Sequence, residues 1–163
     1  MAEPRWRPAL PQDLAMIATW IDSPTALTRW AGPGLSWPLD AAVLWRELDG
    51  GGTPSFCLAE TNQPVAFGQL FVKGTHHQHL ARIIVSPDRR GERLGERLCR
   101  ELLREARAER ITLNVFADNR AALTLYRRLG FEAIGDTDSR GIVPMQLRQF
   151  DADVDSPDAQ ETR

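Results

Sequence analysis

From Leu94 to Ala106 apolar residues return at every fourth position, Leu94, Leu98, Leu102 and Ala106, with Gly95, Cys99 and Leu103 beside them. Arginine and glutamate fill most of the rest, so the segment predicts a helix beginning near Glu92 with one buried face. Glu96–Arg100 and Arg97–Glu101 place opposite charges four apart on the solvated side. A helical repeat also runs through "PQDLAMIATWI", where Leu14, Ile17, Ala18 and Ile21 share a face, and through "LDAAVLWREL" with Val43, Leu44 and Leu48. Between these two, "RWAGPGLSWP" reads as a Pro/Gly loop. "RAALTLYRRLG" predicts a helix closed by Gly130. Strand-like runs are "RWRPA", the hairpin "SFCLAE"–"TNQP"–"VAFGQLFV", then "HLARIIV", "ITLNVF", "FEAIGD" and "GIVPMQLR". Pro144 cannot donate to a ladder, which either argues against a strand in the last run or puts it at a sheet edge. Helices and strands mixed in this order imply an α/β sandwich built on one sheet.

The chain of 163 residues suits one domain, expected over 1–150. "DADVDSPDAQETR", residues 151–163, is acidic and poor in large apolar residues, and is expected to be a disordered tail. A net charge of −2 supplies no global attraction to nucleic acid or membrane, and neither is expected as a partner. No signal-like apolar core and no run of membrane-spanning length occur, so cytoplasm is the expected compartment. Cys57 and Cys99 are far apart and read as small buried hydrophobes in a reducing compartment. Basic charge is almost entirely arginine, with Lys73 the single lysine, a usage that a GC-rich genome explains as readily as chemistry.

Chemistry concentrates in "SPDRRGERLGERL", Ser86 to Leu98. The strand ends at Val85, Pro87 bends the chain, and the next helix offers orphan amides at its N-terminus. Gly91 and Gly95 remove side chains that would hold an anion away, and the dipole favours a phosphate there. The loop lacks the lysine of a P-loop and the G-x-G-x-x-G of a dinucleotide fold. On its own it reads either as a phosphate cradle or as a strand–helix corner with glycines for packing.

"IIVSPDRRGERLGERL" followed by "LNVFADNRAALTLYRRLGF" resembles the GNAT superfamily of N-acetyltransferases. Its members carry V-x-P-x-x-R-G-x-G-x-G after the fourth strand and N-x-x-A-x-x-L-Y-x-x-x-G-F after the fifth. The resemblance is close over residues 80–135 and elsewhere extends only to element order. It implies a three-layer sandwich with a central mixed, mostly antiparallel sheet of about six to seven strands, splayed at strands four and five. It further implies acetyl-CoA as cosubstrate, its pyrophosphate held by Arg90, Gly91, Glu92, Arg93, Leu94, Gly95 and Glu96. Arg93 stands where the family most often has its middle glycine; its side chain reads equally as solvent-facing or as reaching a phosphate. Main chain of Ile83, Ile84 and Val85 would pair with the pantetheine like an added strand. Asn119, by itself a helix N-cap, would contact the cofactor. Tyr126, the single tyrosine and by itself a core aromatic, would be the general acid at the departing sulfur.

Direct transfer needs a neutral amine. A lysine-like amine of pKa about 10.4 is roughly one part in a thousand neutral near pH 7.4, a deficit of about 4 kcal/mol, whereas an α-amine loses less than about 1 kcal/mol. Family members that acetylate ribosomal-protein N-termini carry a glutamate five residues before the motif asparagine; here that position is Asn114, which takes no proton. His76, His77 and His79 lie just before the cofactor strand, and strict alternation places His79 with Ile83 and Val85. Arylalkylamine acetyltransferases resemble this, with strand histidines removing the proton; a solvated polar hairpin is the plain alternative. Glu60 is a second candidate base. No carboxylate or cysteine accompanies the histidines, and no metal is expected. Trp30 and Trp37 read either as walls of an acceptor pocket, suited to an apolar or cationic amine, or as caps on the core. The sequence thus predicts an acetyl-CoA-dependent N-acetyltransferase acting on a primary amine, small molecule or protein N-terminus, as monomer or homodimer. A non-catalytic acyl-CoA-binding module is the alternative.

Overall fold

The computed structural model describes residues 2–148; the tail predicted over 151–163 lies outside them. Strands β1 (Arg5–Pro8), β2 (Ser55–Glu60), β3 (Gln63–Gly74), β4 (His77–Val85), β5 (Arg110–Phe116), β6 (Phe131–Ala133) and β7 (Ile142–Leu147) form one open sheet. Its order is β1-β2-β3-β4-β5-β7-β6, antiparallel throughout except for the parallel pair β4–β5. Helices α1 (Asp13–Ala18), α2 (Pro24–Ala31) and α3 (Ala41–Glu47) cover one face, burying Leu14, Ile17, Leu27, Leu44 and Leu48 around Phe67. Helices α4 (Leu94–Glu105) and α5 (Arg120–Arg128) belong to the other, where Leu98 and Leu102 meet Leu58, Leu70, Leu80 and Leu113. Each fully buried leucine is worth about 1.5–3 kcal/mol relative to exposure. The expected α/β sandwich, splayed at its fourth and fifth strands, is therefore observed.

Three local expectations are corrected. Residues Arg29–Ala31 belong to α2, not to a loop. Ser23 Oγ accepts from the Ala26 amide at 3.1 Å, Pro24 opens the helix and Gly32 closes it at φ 90°, a full set of start and stop signals around a turn that buries Leu27 and Ala31. Helix α4 starts at Leu94 rather than near Glu92, because Arg93 adopts a left-handed conformation (φ 60°, ψ 24°) that cannot continue a helix backwards. Strand β7 is interior, between β5 and β6. Pro144 is tolerated there because its carbonyl accepts from Ile134 (3.0 Å), just past the end of the β6 ladder, so its missing donor falls where the neighbouring chain departs.

Close approach of α4 to the sheet depends on Gly68. A Cβ there would lie 2.9 Å from Leu102 Cδ1 and 3.3 Å from Leu98 Cδ2. The helix whose N-terminus carries the loop motif is thus seated directly against β3.

Candidate active site

On β3, Phe67 to Gln69 spans two steps, while their β4 partners, Ile84 and Ala81, are three apart. One extra residue is therefore inserted in β4, a bulge, and Arg82 within it has φ 53°. Its guanidinium holds the bulge in place: Nε donates to Ala31 O (3.3 Å), and Nη1 donates to Leu48 O (3.2 Å) and Gln69 Oε1 (3.0 Å). Ala31 ends α2 and Leu48 caps α3, so one cation serves the negative ends of two helices. Gln69, fully buried, completes the network by donating to Leu48 O (2.8 Å) and Ser55 Oγ (2.9 Å). Burial pushes the Arg82 pKa downward, an effect partly opposed by Asp49.

The bulge also inverts the side-chain alternation. Ile83 and Val85 pack with the α4–α5 core, whereas Ile84 packs with the α1–α3 core. His79 pairs with Phe71 and so stands on the face of Ile84, not with Ile83 and Val85 as strict alternation predicts.

Pairing between β4 and β5 runs from His77↔Arg110 to Leu80↔Leu113 and stops. Beyond it the strands diverge, and the β5-facing backbone edge of Ile83, Ile84 and Val85 has no strand partner. Two cavities, of about 350 and 810 Å³, meet at this opening and share Trp30, Leu80, Arg82 and Asn114 as walls. The smaller brings together Ile83, Ile84, Arg90, Asn119 and Tyr126. Val85 and the segment Gly91–Glu96 lie outside its wall. In that segment Gly91 has φ 83°, and among the described residues none of its amides donates to a protein acceptor. The Arg93 side chain is 71% exposed and pairs with Glu96 at 3.0 Å, so it is solvent-facing and offers its backbone rather than its charge. Glu96 also receives Arg100 (3.0 Å), and Glu92 receives Arg89 Nε (2.7 Å). Both carboxyls are held below their ordinary range by these hydrogen bonds. A Cβ on Gly95 would meet Leu125 and Val85 at 3.6 Å, which makes this glycine part of the α4–α5 packing.

Asn119 caps α5, its Oδ1 accepting from Ala122 at 3.2 Å, while its side chain still faces the smaller cavity. Tyr126 is 8% exposed and stands edge-on to Phe131, centroids 6.1 Å apart. Burial, and the neighbouring Cys99, push its phenol pKa upward. It stays protonated through the neutral range and is fit to donate, not to accept.

The larger cavity opens on the α2 side, lined by Trp30, Phe71, Lys73, His79, Arg82 and Arg140. His79 Nδ1 and His77 Nε2 share the Thr112 hydroxyl at 2.7 and 2.6 Å. That hydroxyl donates to one ring and accepts from the other, which leaves Nε2 of His79 free. Burial lowers the His79 pKa to about 4, helped by Lys73 and His77, so the ring is neutral at pH 7. Glu60 lines neither cavity and is bound to Arg89. Asn114 lines both cavities, and so does Trp30, whose Nε1 is buried without a hydrogen-bond partner among the described residues; Trp37 lines neither and is 41% exposed. Sequence reasoning missed Arg82 and Thr112. The arginine had a signal, a charge in the middle of the apolar run "HLARIIV"; the threonine had none.

The profile of the acetyltransferase (GNAT) family matches residues 19–131, which holds the opening, the loop and both motif segments. The chain belongs to that family. Among solved structures, yncA of Salmonella typhimurium with its cofactor acetyl-CoA superposes with a TM-score of 0.71 at 20% identity, covering 97% of this chain and 99% of that one. Ribosomal-protein-alanine N-acetyltransferase from Brucella melitensis gives 0.67 at 21% identity over 89% and 99%. The aminoglycoside acetyltransferase AAC(6')-Ib, in complex with coenzyme A and kanamycin, gives 0.63 at 20% identity over 90% and 95%. In this GNAT acetyltransferase the β4 edge of Ile83, Ile84 and Val85 and the amides of Gly91–Glu96 are open together beside the smaller cavity. No helix among the described residues is long and apolar enough to cross a membrane.

Proposed function

We propose that this GNAT acetyltransferase transfers the acetyl group of acetyl-CoA directly to a primary amine bound in the larger cavity. The observation that carries the reading is the divergence of β4 and β5 beyond Leu80 and Leu113, with Tyr126 on one side of the opening and His79 on the other. Pantetheine would run along the open edge of Ile83, Ile84 and Val85, with the pyrophosphate on the Gly91–Glu96 amides, Arg90 at the mouth, and Asn119 beside the chain.

In the reaction the neutral amine nitrogen attacks the thioester carbonyl carbon. As the tetrahedral adduct collapses, the C–S bond breaks and the sulfur takes the Tyr126 hydroxyl proton. A thiol near pKa 8.5 and a phenol near or above 10 make this transfer feasible only as negative charge builds on sulfur. The proton lost from nitrogen leaves toward solvent, and His79 Nε2, in the larger cavity's wall, serves as base in the tautomer whose Nδ1 donates to Thr112; Glu60 is engaged by Arg89. The ionised Tyr126 recovers its proton from water before the next turnover.

The test is calorimetric titration with acetyl-CoA combined with thiol release over a panel of primary amines. Tight binding together with steady release for at least one amine is the expected result. Binding without release for any amine would refute catalysis and leave a non-catalytic acyl-CoA module.

A further inference from the structure

Five basic side chains line the larger cavity, Arg29, Lys73, His79, Arg82 and Arg140, and no aspartate or glutamate does. Two of them are neutralised from outside the wall: Arg29 by Asp118 at 2.6 Å, and Arg140 by Asp138 at 3.0 Å. Arg82 is held by two carbonyls and an amide oxygen, all uncharged, and the Asp49 carboxylate acts on it without a hydrogen bond. Among the described residues Lys73 has no carboxylate partner; its Nζ stands 5.7 Å from the centroid of Phe71, the same ring that Arg82 approaches at 5.0 Å. Two cations without a bound counter-charge therefore flank one aromatic ring on the wall of a cavity of small-molecule size.

We infer that the amine accepted by this enzyme carries its own anionic group, as an amino acid or aminophosphonate does, held by Lys73 within the field of Arg82. The inference rests on the acetyltransferase reading above and names its substrate class. A polycation would bring further positive charge into a cavity whose wall lacks any compensating acid, and like-charge contact is how such a site excludes it. The tryptophan that reaches this wall, Trp30, thus serves beside cations and not as half of a cage for one. His79 feels the same field, its pKa depressed in part by Lys73. That field acts on the acceptor too. Positive charge nearby disfavours the ammonium form, so the cations that would hold the acid also raise the neutral, nucleophilic fraction of the amine. This supplies part of what a glutamate at the Asn114 position would otherwise do.

The experiment measures kcat/KM by thiol release for three sets of acceptors: L-amino acids and short aminoalkylphosphonates, the matching amino-acid amides, and spermidine. Acids are expected to exceed their amides by about 10–100-fold, the effect of one charge-assisted contact. Lys73 is exposed, so Lys73→Met is expected to fold; it should raise KM for the acids by a similar factor and bring the acid-to-amide ratio toward one. A carboxylate preferred over a phosphonate, or the reverse, identifies which acid the site takes. Amides or spermidine turning over as well as the acids would overturn this inference while the acetyltransferase reading stood. A high ratio that survives Lys73→Met would overturn the assignment to Lys73. No turnover of any set by protein that binds acetyl-CoA would overturn both.

Discussion

Arg82 holds the β4 bulge, and removing its side chain should cost more than any exposed arginine in the chain. Its guanidinium makes three hydrogen bonds of 3.0–3.3 Å to otherwise neutral acceptors. Hydrogen bonds to a charged group are worth about 1.5–3 kcal/mol each, but they are not additive and the burial of the charge opposes them. Truncation also strands Gln69 Oε1, which is fully buried, at about 1–3 kcal/mol. Arg82→Ala is therefore expected to lose about 2–4 kcal/mol, within the range of broken buried networks. Arg82→Gly loses the same contacts but relieves the left-handed backbone, a gain of about 1–2 kcal/mol set against about 0.4–1 for a more flexible unfolded chain. Glycine should thus be the more stable of the two by up to about 1.5 kcal/mol, the reverse of what an ordinary strand position would give. Urea denaturation at pH 7 measures all three proteins. An alanine variant as stable as the parent would refute the clamp, and an alanine variant clearly more stable than glycine would refute the bulge.

Tyr126→Phe keeps the edge-on contact with Phe131 and should lower kcat by about 10²–10⁴-fold with acetyl-CoA affinity unchanged; wild-type kcat where chemistry limits turnover would reduce the tyrosine to packing. Because burial raises the phenol, activity should be retained until pH exceeds about 10 and then fall, and this alkaline limb should vanish in the variant. Gly91→Val forces a β-branched residue into φ 83°, and since no atom stands near its Cβ, the damage is expected in loop shape: about tenfold weaker acetyl-CoA binding by calorimetry in a folded protein. Equal affinity would remove the loop from the cofactor site. His79 is depressed to about 4 from an unfolded value near 6.5, so its contribution is whole above pH 6.5 and is lost as pH falls toward 4, at most about 3 kcal/mol. His79→Gln should flatten the stability curve between those limits, and an unchanged slope in urea titrations would mean that other groups carry it.

The elements that local sequence decided by itself are those whose signals are periodic or conformational. Leucines at every fourth place in α4, the cap residues Asn119 and Gly130 around α5, and the run before Pro87 each specify backbone shape within one turn or strand. Gly91 belongs with them, since only its backbone conformation is at issue. Even α2 was written in Ser23, Pro24 and Gly32. What only the tertiary structure decided are the pairings between distant segments. Asn114 and His79 are thirty-odd positions apart, yet the parallel β4–β5 pair brings them to one opening. The face presented by His79 depends on a single residue inserted at Arg82, and that insertion is stabilised from Ala31, Leu48 and Gln69, none of them near it in sequence. Pro144 looked like an edge residue because its missing donor is visible in the sequence, whereas the neighbour that ends beside it is not. The charge of the larger cavity is likewise a sum over four segments, which contribute Arg29, Lys73, Arg82 and Arg140. Local conformation is set by interactions within a few residues, while a cavity's field and a bulge's register are set by which segments the sheet brings into contact.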